Sequence, residues 1–202
     1  MTDLKTRAKW DAAAGLFDIM GGYGPDKRWA PAKAKLFAGM AGRILFMAVG
    51  TGLDIRFFPP GRDITGIDIS PKMLEKARPR AAAYPGRMDL REMDVHDMDF
   101  ADHAFDQIYT SCTFCSVPDP VRGLVALRRV LKPGGPLRMF EHTGSRCFPF
   151  GLMLDVMNPL ARHLGPEINR DTTANVRAAG FEITRVTNIY LDVVKTIEAV
   201  AP

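Results

Sequence analysis

Between Arg43 and His142, short apolar runs closed by glycine or an acid alternate with amphipathic helical stretches, and this alternation limits the fold more than any other feature. RILFMAV, stopped by Gly50, is too short for a helix and reads as a buried strand. DITGID is a second strand. Ser70 and Pro71 then supply an N-cap and a first helical residue for PKMLEKARPRAA. RMDLREMD alternates weakly as a third strand, and FDQIYTS is a fourth, rich in aromatic and β-branched residues. VRGLVALRRVLK, ended by KPGG, is an amphipathic helix leading into a fifth strand, PLRMFEH. Strands and helices alternating at these lengths imply an α/β fold, a mostly parallel sheet with helices on both faces.

The flanks differ. LKTRAKWDAAAGLFDIM carries Leu4, Ala8, Ala12, Leu16 and Ile19 on one helical stripe and is broken by GGYGPDK. PAKAKLFAGM reads as a second helix begun by Pro31. After the fifth strand, CFPFGLMLDVMNPLARHLG is strongly apolar and interrupted by Pro149 and Pro159. DTTANVRAAG is a helix ending at a glycine, and FEITRVTNI and YLDVVKTIEA make a closing hairpin with its turn near Asn188. The 202 residues fit one domain.

A net charge of +4 is a mild basic bias that suits an anionic substrate or an anionic membrane surface better than nucleic acid. No stretch is long and apolar enough to span a bilayer, and the N-terminus has no signal-like apolar core. Three cysteines, Cys112, Cys115 and Cys147, are too few and odd in number for a disulfide framework, so a reducing, cytoplasmic setting is expected. Cys112 and Cys115 form a C-x-x-C pair, but no second ligand pair lies at zinc spacing. No metal is expected, and the pair reads as two small, partly buried thiols.

The chemistry concentrates at the strand ends. Gly50 and Gly52 let backbone approach a ligand after the first strand. Asp68, ending the second, is placed to accept ribose hydroxyls. Asp94, after the third, is placed to meet an adenine amino group, with the Val95 amide beside it. The absence of a third glycine after Asp54 and Ile55 argues against a nicotinamide dehydrogenase.

Taken in order, VGTG, GIDIS-x-x-ML, MDVHDM, FDQIYTS and LKPGG resemble the class I S-adenosylmethionine-dependent methyltransferases, over roughly residues 15 to 195. FDIM, KRW, EHTGS and YLDVVKTIEA look more narrowly like the bacterial phosphatidylethanolamine N-methyltransferases, relatives of the quinone C-methyltransferases. The resemblance implies a Rossmann-like seven-stranded sheet with one antiparallel strand. It implies S-adenosylmethionine as cofactor and S-adenosylhomocysteine as product. Ala48, Gly50, Thr51 and Gly52 are expected near the methionine part, and Asp68 on the ribose. Ile69 and Met73 should lie beside the adenosine, Asp94 and Val95 at the adenine, and Thr110 and Ser111 by the reacting centre. The pattern departs at Phe46, which replaces the usual acid and should pack in the core. It departs again at Ala48, which replaces a glycine and adds one harmless methyl if its backbone is extended.

Residues 1–40 are expected as a helical lid and 145–170 as a substrate cap. Within them, Tyr23 and Trp29, with Tyr190 of the hairpin, offer aromatic faces for an ammonium group. Glu141 and His142 end the fifth strand, where either would orient the nucleophile or take its proton. Arg146, Arg162 and Arg170, with Arg177, crowd the region after it and would hold a phosphate. The expected reaction is methylation of a phospholipid amine, phosphatidylethanolamine, by a protein peripheral to the inner face of the membrane. The alternatives are C-methylation of a quinone precursor and non-catalytic lipid or nucleotide binding.

Overall fold

The computed structural model describes residues 3–22, 25–164 and 166–202. Seven strands form one sheet: β1 Arg43–Met47, β2 Asp63–Asp68, β3 Arg87–Glu92, β4 Gln107–Ser111, β5 Pro136–His142, β6 Glu182–Tyr190 and β7 Val194–Val200. Their order is β3-β2-β1-β4-β5-β7-β6, and β7 alone runs opposite to the other six. This is the seven-stranded α/β sheet expected from the sequence. The helices are α1 Leu4–Gly22, α2 Pro25–Phe37, α3 Pro71–Ala82, α4 Pro120–Val130, α5 Phe150–Leu164 and α6 Thr172–Ala178.

The period-2 alternation of the strands divides the core in two. Leu45, Met47, Ile108, Leu137 and Met139 pack under Leu124 and Leu127 of α4 and Val176 of α6. Ile44, Phe46, Ile64, Tyr109 and Phe140 face the opposite way, towards Phe37 of α2, Ala77 of α3 and Leu154 of α5. Phe46 is a core residue, 1% exposed, with its ring 5.7 Å from Phe37 and 4.8 Å from Phe58. Three helices begin at side-chain caps: Ser70 accepts from Met73 N, Asp119 from Arg122 N and Asp171 from Ala174 N.

Three local expectations are corrected. α2 starts at Pro25, so Pro31 lies inside the helix; its fixed φ is helical, and burial of Leu36 and Phe37 holds the segment despite the missing donor. The hairpin turns at Leu191–Val193, where Val193 N donates to Tyr190 O, and not near Asn188. The register shifts between Asn188 and Tyr190, so the break in the pattern marks a bulge within a continuing strand. Ala48 is not extended but left-handed, with φ 58°. That conformation brings Cβ against the carbonyl oxygen and favours glycine.

Ala48→Gly should therefore raise unfolding stability by about 1 kcal/mol in denaturant titrations, and a loss of stability would contradict this account. Phe46→Glu, which restores the acid of the first motif, should instead cost about 3 kcal/mol or more by burying an unpaired charge. A variant of wild-type stability with tighter cofactor binding would refute that expectation.

Candidate functional site

A cavity of about 300 Å³ opens at the carboxyl edge of the parallel strands, where the sheet order reverses between β1 and β4. Its floor is the turn after β1, with Gly50 at φ 57° and Gly52 at φ 84°. Gly50 and Thr51 line the cavity. Gly52 does not; a Cβ there would stand 2.9 Å from Ile55 Cδ1 and 3.2 Å from Ala77 Cα, so its glycine serves the approach of the turn to α3. Trp10 and Phe17 of α1 and Trp29 and Lys33 of α2 close the other side. α1 is tied down by Asp18–Arg80 and Arg7–Glu92 ion pairs and by Ser70 Oγ donating to Asp11.

Acids at three strand ends hold the loops through backbone amides. Asp68 accepts Gly50 N at 2.7 Å and Ser70 N at 2.9 Å. Burial, against the pull of those amides, raises its carboxyl to about 6. Asp94 Oδ1 accepts His96 N at 2.9 Å, while its Oδ2 accepts Asp3 N at 3.0 Å. Glu141, fully buried, accepts the Thr110 hydroxyl at 2.8 Å and the amides of Thr113 and Phe114, each at 3.1 Å. Burial raises it to about 7, with the hydroxyl and amides opposing. From the other side Arg170 donates to the carbonyls of Phe114 and Val117 and pairs with Glu167 at 2.8 Å. The loop after β4, whose Cys112, Thr113 and Ser116 wall the cavity, is thus gripped at its amides by Glu141 and at its carbonyls by Arg170.

Of the expected cofactor residues, Ala48, Gly50, Thr51, Asp68, Ile69, Met73, Asp94, Val95 and Ser111 all line this one cavity, as does Trp29. Thr110 does not: its hydroxyl is turned to Glu141 behind the wall. Glu141 is likewise behind the wall, so it positions a loop and does not meet a nucleophile. His142 is outside the lining too; burial lowers its pKa. Arg170 is spent on backbone carbonyls and Glu167, and Arg146 points outward, 85% exposed and paired with Asp171. Neither forms a phosphate site in the cavity. Tyr190 packs against Trp29, tilted by 58° with ring centroids 5.9 Å apart, but lies beyond the lining. Tyr23 and the Arg162 side chain lie outside the described residues.

Sequence reasoning missed several cavity residues. Lys33 and Asp54 form an ion pair of 2.7 Å inside it, and Asp3, Trp10 and Phe17 reach it from α1 and the residue before it. Only the spacing of Trp10 and Phe17 along one helix could have signalled the latter. Cys112, left-handed at φ 52°, is exposed and opens onto the cavity. Cys115 is buried, and among the described residues no group of three or more His, Cys, Asp or Glu could hold a metal.

Residues 45–139 match the family described as a methyltransferase domain. The human thiol S-methyltransferase TMT1B is 30% identical over 174 residues, covering 77% of this chain and 67% of that protein. The chain is a class I S-adenosylmethionine-dependent methyltransferase. The ubiquinone/menaquinone biosynthesis C-methyltransferase UbiE of Geotalea daltonii is 35% identical over 156 residues, 72% of this chain and 66% of that one. A phosphatidylethanolamine N-methyltransferase of Cereibacter sphaeroides is 34% identical over 103 residues, 50% of this chain and 51% of that one. The methyltransferase thus spans from about half to two thirds of the length of the curated relatives it matches.

The cavity fits the cofactor. Ser111 Oγ is buried without a hydrogen-bond partner, whereas the Thr51 hydroxyl faces the Asp18 carboxylate. The Ser111 hydroxyl, on the cavity wall, is a polar atom that a bound cofactor could satisfy. Asp68, Ile69, Met73 and Asp94, which line the cavity, are the residues that would hold it, in the places the family resemblance implies. The carboxylates are already oriented by the amides they accept.

The raised pKa of Glu141 has a consequence for stability. The folded state holds this proton more tightly than the unfolded chain, so its stabilising share is complete below the unfolded value of 4.5 and is lost as pH rises through about 7. Asp68, raised to about 6, acts in the same direction. Glu141→Gln should flatten the fall in stability between about pH 5 and pH 8 by on the order of 3 kcal/mol, measured by denaturation at each pH. An unchanged slope would refute a buried, ionising Glu141.

Proposed function

We propose that the methyltransferase acts on the amine of phosphatidylethanolamine and its mono- and dimethyl forms, yielding phosphatidylcholine. The observation that carries this reading is a cation seated on an aromatic pair of which Trp29 lines the cavity and Tyr190 lies beyond it. The Arg28 guanidinium stands 3.8 Å from the Tyr190 ring centroid and 4.9 Å from that of Trp29. The same faces suit a headgroup that gains methyl groups and keeps its positive charge. Trp29, which lines the cavity, links Tyr190 of the hairpin to it and is backed by the buried Phe140 ring at 6.2 Å.

A lipid acceptor is supported by α5. Leu152, Met153, Val156, Met157 and Leu160 lie exposed along one stripe of this helix, while Leu154 on its inner face joins the core. Such a face, on a chain of net charge +4, suits peripheral contact with an anionic membrane surface at the inner leaflet. No helix among the described residues is long and apolar enough to cross a membrane.

When bound, the cofactor supplies an electrophilic methyl group on a sulfonium. The chain's part is to align the amine and keep out water. α1 and α2 close the cavity, and the clamped loop after β4 fixes the wall where Ser111 and Cys112 face it. A quinone precursor is the second reading. It is favoured by the similarity to the C-methyltransferase, which covers more of the chain than that to the N-methyltransferase, and by the absence of Arg146 and Arg170 from the cavity.

The test is radiolabelled methyl transfer to liposomes with and without phosphatidylethanolamine, with the products separated by thin-layer chromatography. Label should appear in the three methylated lipids, and Trp29→Ala should lower kcat/KM for the lipid about tenfold while leaving cofactor affinity near wild type. Label that enters a demethylated quinone but not the phospholipid would overturn the first reading in favour of the second.

A further inference from the structure

Lys33 and Asp54 meet at 2.7 Å within the cavity, their side chains only 12% and 13% exposed. They come from separate elements, α2 and the short 3-10 turn that follows Gly52. The ammonium also lies 5.4 Å from the Phe140 ring centroid. It has three N–H donors, of which one goes to Asp54 Oδ1; among the described residues no other hydrogen-bond partner meets it, and none meets Asp54 Oδ2. A nearly buried ion pair is an inefficient way to stabilise a fold, because desolvation offsets most of its attraction. Its net charge is zero, so it has little preference for a simple anion or cation. It is complementary instead to a ligand that carries both charges close together, with an oxyanion facing Lys33 and an ammonium facing Asp54.

We propose that Lys33 and Asp54 form a receptor for a zwitterionic end-group within the methyltransferase cavity. Two ligands of this chemistry enter such a site: the amino-acid end of the cofactor and an amine–phosphate headgroup. The unpaired Ser111 hydroxyl on the same cavity wall adds a neutral donor and acceptor. The spare donors of Lys33 and the free oxygen of Asp54 are held ready by their mutual bond, so the ligand completes a four-charge arrangement without ordering either side chain anew. The inference does not depend on which acceptor is methylated.

The decisive variant is the reversed pair, Lys33→Asp with Asp54→Lys. It keeps the attraction between the two positions but presents the wrong charge to each end of a zwitterion. Lys33→Met with Asp54→Leu removes both charges together and guards against an unfolded single mutant. Calorimetry is done with S-adenosylhomocysteine, with 5′-methylthioadenosine, which lacks the amino-acid end, and with glycerophosphoethanolamine on the S-adenosylhomocysteine-loaded protein. A loss of about tenfold or more for S-adenosylhomocysteine in both variants, with 5′-methylthioadenosine unchanged, is expected if the pair reads the cofactor. Unchanged S-adenosylhomocysteine with a similar loss for glycerophosphoethanolamine assigns the pair to the headgroup. Wild-type affinity of the variants for both zwitterions overturns the proposal. So does an equal loss for 5′-methylthioadenosine, which would mark general damage to the cavity.

Discussion

The structure depends on buried carboxylates that take up backbone amides at the carboxyl edge of its sheet. Parallel strands ending at one edge leave loops whose N–H groups have no ladder partner, and those buried beside the cavity need acceptors. Asp68 meets this need for the turns after β1 and β2, Asp94 for the turn after β3, and Glu141 for the loop after β4. Each acid sits at or just beyond a strand end and reaches a loop next to it. The cost appears in the carboxyls of Asp68 and Glu141, which burial raises to about 6 and about 7. Fixed loops and polarised carboxylates are the same feature seen from two sides.

This logic separates residues that touch a ligand from residues that shape its container. Asp68 and Asp94 line the cavity, where a ligand could reach them, while also holding amides. Glu141, Thr110 and Arg170 only shape it. Arg170 supplies the counterpart of Glu141, with its guanidinium on loop carbonyls where the carboxylate takes loop amides. A charge reversed at either position would break a wall of the cavity without meeting the cofactor, so loss of activity there is no sign of a phosphate contact.

The sheet and the cofactor edge were legible because local signals agree there. The strand alternation, the Ser70–Pro71 helix start and the Asp68 and Asp94 positions each point to one architecture. The side chains at the far end of the cavity were not legible. Whether Glu141 turns inward or toward a ligand is set by the partners that the loop after β4 offers, and no spacing in the sequence records that. Lys33 and Asp54 are twenty-one positions apart and read separately as a surface lysine and a turn acid; only the packing of α2 on the turn after β1 makes them a pair. Asn188 misled because a polar residue can mark a bulge as readily as a turn.

The first motif shows how such a turn persists without its usual acid. Val49 N donates to Ile67 O at 3.0 Å, Gly50 N to Asp68 Oδ2 at 2.7 Å and Gly52 N to Val49 O at 3.0 Å. Those three amides are satisfied by the neighbouring strand, by an acid outside the motif and by the turn itself. A carboxylate at position 46 has no amide of this set left to bond, and position 46 faces the aromatic layer of Phe37 and Phe58. Phenylalanine there gains packing in place of a charge. Ala48 is the more costly departure, because its left-handed backbone is required by the turn whatever residue occupies it. The site therefore keeps its geometry through Asp68, holds Phe46 in the core as the sequence led one to expect, and bears its strain at Ala48, the substitution that read as harmless.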